Sequence, residues 1–285
     1  MLALLVTFLW STSFIIIKIG LTEIPPLTYA GLRYTLAFLV LLPFAFRKKI
    51  RSEIKNLGKK DLGKFILLGI LFYSFTQGTQ FIGLSLLPAV TVSLLQNFTP
   101  IIVSIMGVIL LSEKPSARQW FGSILFVLGI LVYFFPVNLP ADEILGISVM
   151  SVGVLANSFS SVLGRNINRS HKFDPLTVTV ITMGIGSVIM LMTGIMIQGL
   201  PLLSLKNILF LVWLAVVNTA FAFTIWNLTL RNLTAMESSI INGTMLIQIA
   251  VLAWIFLGEA ITLAEGIGMA VAFAGALFVQ VVKKN

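Results

Sequence analysis

The chain has 285 residues, 58% of them hydrophobic and 10% charged, whereas a soluble domain carries roughly a quarter charged residues. That balance excludes an ordinary water-soluble globule, and the lack of cysteine excludes disulfides and thiolate metal sites. The net charge of +9 leaves nucleic acid or anionic lipid as partners to be tested against where the basic residues lie.

Apolar runs of about twenty residues recur along the chain, each long enough as a helix to cross a hydrocarbon core of roughly 30 Å. Lipid offers backbone groups no partner, so such runs must satisfy themselves as helices. Ten spans are predicted, near residues 2–21, 27–46, 64–84, 89–111, 119–135, 145–163, 176–197, 207–228, 236–257 and 265–282. No basic segment or small-residue cleavage site precedes the first run, which reads as a retained span.

Span 1, "FLWSTSFIIIKIG", carries Trp10, Ser13 and, near its outer end, Lys18; span 2 carries Arg33. In span 3, Tyr73, Thr76, Gln77 and Gln80 fall at i, i+3, i+4 and i+7, a single helical stripe. Span 4 adds Ser93, Gln96, Asn97, Pro100 and Ser104, and Pro100 removes a backbone donor in mid-span, which can kink the helix. Spans 5 and 10 show mainly glycine and apolar residues and read as peripheral packing helices. Span 6 contributes Asn157, span 8 Asn218 and Trp226, and span 9 Asn242 and Gly243, with Glu237 nearer the cytoplasmic end. The lone histidine, His171, lies in a charged connection and reads as solvated rather than as a ligand.

The basic residues sort by connection. Eight lie between spans 2 and 3, and further ones lie at Lys114, Arg118, Arg165, Arg169, Lys172, Arg231, Lys283 and Lys284, all on one side. The other side has Lys206 among Glu23, Asp142, Glu143, Glu259 and Glu265. Positive charge stays cytoplasmic, so both termini are expected inside. The basic excess is thereby an orientation signal rather than a nucleic-acid footprint.

A shift of 146 residues lays the second half over the first. "LPAVTVSLLQNFTPIIVSIMGVILLSEKP" falls on "LTAMESSIINGTMLIQIAVLAWIFLGEAI", pairing Gln96 with Asn242 and Glu113 with Glu259; beyond it Gly122 pairs with Gly268 and Gly129 with Gly275. A slightly different shift pairs "PLT" at 26–28 with "PLT" at 175–177. Each half holds five spans, an odd number, so the copies insert in opposite orientations. Inverted repeats are a recurrent construction of secondary transporters, which alternate access by exchanging the conformations of the two halves. The expectation is an all-α polytopic membrane protein of ten transmembrane helices, built as two inverted five-helix repeats at 1–137 and 144–285.

The stretches "FLWSTSFIIIKIG", "LRYTLAFLVLLPF", "FIGLSLLPAVTVSLLQNFTPIIVSIMGVILLSEKPSARQWFGSILFVLGILV" and "FLGEAITLAEGIGMAVAFAGALFV" resemble EamA-type members of the drug/metabolite transporter superfamily. The resemblance covers essentially the whole chain, and its most specific part is the pair of Glu-centred helix ends, each followed by a glycine-bearing helix. It implies a ten-helix, two-repeat carrier that typically exports amino acids or other small metabolites. The second copy, "VLANSFSSVLGRN", lacks the Trp and Lys of span 1, so any role for Trp10 or Lys18 concerns one half only.

Polar groups in hydrocarbon are costly unless they face protein, partners or a water-filled cavity. Trp10, Ser13, Tyr73, Gln77, Gln80, Gln96, Asn97, Asn157, Asn218, Trp226 and Asn242 are read as substrate-binding, and Lys18, Arg33, Pro100, Glu237 and Glu259 as gating or charge-pairing. For any one amide, interhelical bonding is an equal alternative. Lys18 either snorkels to the interface or pairs near an outer gate, with Glu259 the best carboxylate. Amides, hydroxyls and indoles suit a zwitterionic or neutral amphiphilic solute. No enzymatic constellation, metal-spaced histidine set or phosphate loop is present, so no cofactor is expected. The expected partners are a small-molecule substrate, the lipid bilayer, and a coupling proton or counter-substrate. The expected setting is a prokaryotic plasma membrane. Alternatives are a nucleotide-sugar or sugar-phosphate exchanger, a non-transporting membrane protein, or a membrane-embedded enzyme. Single cysteines at Ser52 and Ser116 should label only from the cytoplasm and those at Asn138 and Ser204 only from outside; labelling of all four from one side would contradict the inverted topology.

Overall fold

The computed structural model describes residues 2–99, 101–103, 105–106, 116–135, 141–169, 172–229 and 241–280. The secondary structure of these residues is helical throughout, as expected where backbone donors and acceptors must pair within their own segment. Helix α1 spans Leu2–Gly20, α2 Pro26–Ala45, α3 Lys48–Lys55 and α4 Lys59–Gly69. A π-helical segment, Ile70–Thr76, then leads into α5, Gln77–Leu86. Helix α6 spans Ala89–Gln96, α7 Ala117–Tyr133, α8 Ala141–Arg169, α9 Pro175–Gln198 and α10 Leu205–Ala215. A second π-helical segment, Val216–Phe221, leads into α11, Ala222–Thr229, and the chain closes with α12, Met245–Leu257, and α13, Leu263–Gln280.

Five helical stretches are long and apolar enough to cross a bilayer: Leu2–Gly20, Pro26–Ala45, Lys59–Leu86, Glu143–Asn168 and Pro175–Gln198. Shorter apolar helices of 10–17 residues accompany them, including Trp120–Tyr133, Leu205–Phe221 and Leu263–Phe278. Large apolar side chains also face outward. On α7, Ile124, Leu128 and Leu131 are exposed at i, i+4 and i+7, and on α12 so are Trp254, Ile255 and Phe256. Such a surface suits acyl chains rather than water. The chain is a multi-pass helical membrane protein.

The helices fall into two compact units, each drawing on both halves of the sequence. The first comprises Met1–Ile15, Leu86–Met150 and Ala222–Asn285, and the second Ile16–Ser85 and Ser151–Phe221.

In the second unit α2 and α9 pack antiparallel, with a backbone approach that only small residues permit. A Cβ on Gly31 would lie 2.5 Å from Cα of Leu191, and one on Gly194 would lie 2.6 Å from N of Thr28. Between helices, Thr35 Oγ1 donates to the Ser187 carbonyl and Thr28 Oγ1 to the Gly199 carbonyl. Each π-bearing helix packs on one member of this pair: α4 and its π segment on α9, and α10 and its π segment on α2.

Toward the end of the unit that carries α3, Phe65, Leu68, Ile167 and Val178 form a buried apolar cluster. There the connection after α2, expected as a loop, folds its charged residues into α3, which buries Ile50. Glu53 accepts from Thr177 Oγ1 and from the Asp174 backbone N–H, while Asp174 caps α9 through Leu176 N–H. Lys49 donates to Asp174 at 2.8 Å, and that bond raises the Lys49 pKa above its ordinary value. In the connection that follows α1, Glu23 accepts from Lys206, Ser204 and Asn207. The Lys206 bond, then the Ser204 bond, holds its carboxyl below the ordinary value.

In the first unit α7 and α13 form the corresponding antiparallel pair. A Cβ on Gly268 would lie 2.5 Å from N of Tyr133 and 2.7 Å from O of Gly129, and one on Gly275 would meet Phe126 N and Gly122 O. Glycine lets these backbones approach as in other small-residue membrane interfaces. The same helix supplies its own control, because a Cβ on Gly266 would meet nothing within 4 Å. Gly268→Ala should therefore cost about 1–3 kcal/mol and lower the melting temperature in detergent. Gly266→Ala should leave it unchanged or raise it through the better helix propensity of alanine, worth about 0.5–1 kcal/mol. Equal melting temperatures for the two variants would contradict the close α7–α13 approach.

Candidate functional site

A buried polar cluster of the second unit surrounds the two π-helical segments. In a π-helix the widened turn shifts each bond to the fifth residue back, and such segments are rare and concentrated at functional sites. In both segments a threonine reinforces that register: Thr76 Oγ1 donates to the Leu71 carbonyl at 2.9 Å, and Thr219 Oγ1 to the Leu214 carbonyl at 2.8 Å. The first segment presents Tyr73 and the second Asn218 and Thr219, all buried.

Arg33 meets the second segment. The residue is 4% exposed, and its guanidinium donates Nε–H to Thr219 Oγ1 at 3.1 Å and lies 5.1 Å from the centroid of the Tyr34 ring. Thr219 can accept this bond because its own hydroxyl proton is committed to Leu214. Tyr34 in turn donates to Gln77 Oε1 at 2.6 Å and packs edge-on against Tyr73. The predicted stripe Tyr73, Thr76, Gln77 and Gln80 is buried, and one of its amides is bonded to Tyr34. Asn157 is half-buried on α8, and Lys18 is half-buried near the end of α1.

The first unit gathers a different set. Trp10 stacks in tilted geometry on Trp226 and on Phe223, each at 5.2 Å, and Ser13 donates to the Trp10 carbonyl. Ser11 Oγ, whose proton goes to the Thr7 carbonyl, lies 2.9 Å from the Gln248 side-chain amide, tying α1 to α12. Gln96 and Asn97 are half-buried, with the Asn97 amide returned to the Ser93 carbonyl, and Asn242 is exposed. The helix breaks at Asn97 and Phe98 and again at Thr244, positions that the 146-residue shift brings into register. Pro100 and Glu237 lie outside the described residues.

Glu259 acts within the first unit as a helix cap supplied from a distance. Its carboxylate accepts from Ala89 N–H at 2.9 Å and Val90 N–H at 3.4 Å, the first amides of α6. Proline at the N-cap of α6 offers no side-chain acceptor, so Glu259 satisfies donors left orphaned there and sets a negative charge at the positive end of the dipole. It lines a cavity of about 130 Å³ with Pro88, Val90, Tyr133 and Glu265. Thr262 and Glu265 cap each other reciprocally at the start of α13. Lys18 belongs to the second unit and Glu259 to the first, and their expected pairing remains a proposal.

Sequence reasoning did not single out Tyr34, Thr219 or Gln248. The adjacency "RY" at 33–34 and the mid-span pair "NT" at 218–219 were the available signals. Among the described residues no group of acidic or histidine side chains could hold a metal ion.

Comparison with known proteins follows the same division of the chain. The model of the EamA-like transporter family matches residues 1–135 and again 144–281. A probable amino-acid metabolite efflux pump of Escherichia coli is 29% identical over 240 residues, covering 79% of this chain and 75% of its own. Its counterpart in Salmonella typhimurium is 26% identical over 292 residues, covering 98% and 93%. An uncharacterized transporter of Bacillus subtilis, YoaV, is 24% identical over 271 residues, covering 90% and 88%. A solved crystal structure superposes with a TM-score of 0.67 over 98% of this chain and 96% of its own, at 17% identity, a likeness of fold.

Proposed function

This chain belongs to the EamA-like transporter family, and from that premise we propose that it is a secondary carrier exporting amino acids or similar small amphiphilic metabolites. As a member it is a membrane transporter of a small-molecule substrate. The relatives from Escherichia coli and Salmonella, each a probable amino-acid metabolite efflux pump, support the direction and the substrate class. The composition supports a membrane setting, and the bacterial sources of these relatives support a prokaryotic plasma membrane.

The observation that carries alternating access is a symmetry in helix contacts. Under the 146-residue shift, the approach of Gly129 to Ala272 maps onto that of Phe126 to Gly275, and the approach of Gly129 to Gly268 onto that of Gly122 to Gly275. Both members of each mapped pair occur, the mark of a two-fold relation between corresponding helices. The second unit supports the same reading, since the π segments fall in the corresponding predicted spans 3 and 8 and each packs on a span-2 or span-7 helix from the other half. Two inverted repeats, 1–137 and 144–285, account for these relations, and an exchange of their conformations would open each side in turn.

Within this reading Tyr73, Gln77, Gln80, Asn157 and Asn218 are solute-facing candidates of the second unit and Trp10, Ser13, Gln96, Asn97, Trp226 and Asn242 those of the first. Lys18 is the candidate outer-gate residue. The test is flux in proteoliposomes carrying the purified protein, with radiolabelled amino acids. The wild type should exchange at least one of them faster than protein-free vesicles. Gln77→Leu and Lys18→Met should lose most of that flux while remaining folded. Wild-type flux equal to that of empty vesicles would contradict the carrier reading. Normal flux in Gln77→Leu with a lower melting temperature would instead assign Gln77 to packing against Tyr34, and normal flux in Lys18→Met would remove Lys18 from the mechanism.

A further inference from the structure

Arg33 is a buried cation set seven residues inside α2, which begins at Pro26, about 10 Å along the helix axis. Guanidinium groups stay protonated in protein interiors, so burial does not remove this charge, and charges within membrane spans ordinarily have a charged partner. Among the described residues Arg33 has no carboxylate partner; its one hydrogen bond is Nε–H to Thr219. The remaining donors of the guanidinium fork are the ones that bind a carboxylate through two parallel bonds. Nearby groups are neutral and already committed: Thr219 to Leu214, Tyr34 to Gln77. They hold the fork by one edge without neutralising it. One turn before Arg33 on the same helix, the Tyr29 hydroxyl is also buried and has no hydrogen-bond partner among the described residues. Within the second unit, the environment of Arg33 thus supplies one positive charge, neutral hydrogen-bonding groups and two aromatic rings.

We propose that Arg33 is the anchor for the carboxylate of the transported solute, held in position by Thr219 of the second π-helical segment and by the Tyr34 ring. This rests on the carrier reading and narrows its substrate class to monocarboxylates, the amino-acid α-carboxylate among them. One guanidinium matches one negative charge, whereas a phosphate monoester carries nearly two and calls for further cations. The π-helical turn has a stated part: it sets Thr219 Oγ1 to accept from Arg33 while donating to the carbonyl five residues back. The guanidinium is thereby oriented before the solute arrives, which reduces the cost of ordering it on binding.

The test uses the purified full chain in proteoliposomes and the amino acid giving the largest wild-type flux of the twenty common ones. Competitors are its carboxamide, its decarboxylated amine, its deaminated carboxylic acid and glucose 6-phosphate. The proposal expects competition from the carboxylic acid but not from the amide, the amine or the sugar phosphate. Arg33→Gln should lower carboxylate flux about ten- to a hundredfold, the loss expected for charge-assisted hydrogen bonds, and abolish the preference for acid over amide. Amide or amine competing as well as the acid, or unchanged flux and KM in Arg33→Gln, would overturn it. A sugar phosphate that outcompetes the acid would overturn the carboxylate assignment. If Arg33→Gln does not fold, the wild-type comparison of acid with amide decides alone. Absence of flux for all twenty amino acids overturns the export reading and this proposal with it, whereas flux without acid selectivity overturns the assignment of Arg33 alone.

Discussion

Hydrocarbon gives a polar group no partner, and the structure is organised around that constraint. Hydroxyls on the helices are returned to the backbone a turn earlier: Ser11 to Thr7, Thr79 to Phe75, Ser158 to Val154 and Thr182 to Val178. Where the helix widens into π turns, Thr76 and Thr219 reach the carbonyl five residues back. Where α6 begins on a proline, a carboxylate from the far end of the sequence, Glu259, accepts its first amides. Against this background a buried guanidinium with, among the described residues, a single neutral acceptor is an exception. An exception to a costly rule is where function is expected.

Small residues answer a second demand of the same solvent. Lipid supplies no hydrophobic drive between helices, so close packing must hold them. The α2–α9 and α7–α13 pairs both use glycine to bring backbones together, at Gly31 and Gly194 in one and at Gly129, Gly268 and Gly275 in the other. Each pair joins one helix from either half of the sequence.

The sequence made the apolar helices legible because hydropathy and length are local properties, and the helix starts at Pro26, Ala89 and Pro175 fall within a residue or two of expectation. The inward stripe of Tyr73, Thr76, Gln77 and Gln80 was legible from spacing alone, since all four are buried. The π segments were not, because one extra residue per turn leaves no mark in composition. Helix α3 was missed because eight residues rich in lysine and arginine read as solvated connection; its ties through Glu53 and Lys49 to Asp174 and Thr177 are long-range. The same holds for Arg33. Its distance from the helix start could be counted, but its burial beside Thr219 depends on the second π-helical segment returning 186 residues later. Glu259 was expected as a charge partner and is found capping α6, a role that needs only two amides brought near it in space.

The most direct measurement of the central claim, that Arg33 holds a solute carboxylate, is a dipolar-recoupling experiment by solid-state NMR. It would use the protein in lipid with ¹⁵N-labelled arginine guanidinium and a transported amino acid labelled with ¹³C at its carboxyl. The account predicts a nitrogen-to-carbon separation of about 4 Å, as in a bidentate arginine–carboxylate pair, and its disappearance in Arg33→Lys. Absence of coupling with the solute bound, or an identical coupling in Arg33→Lys, would contradict it.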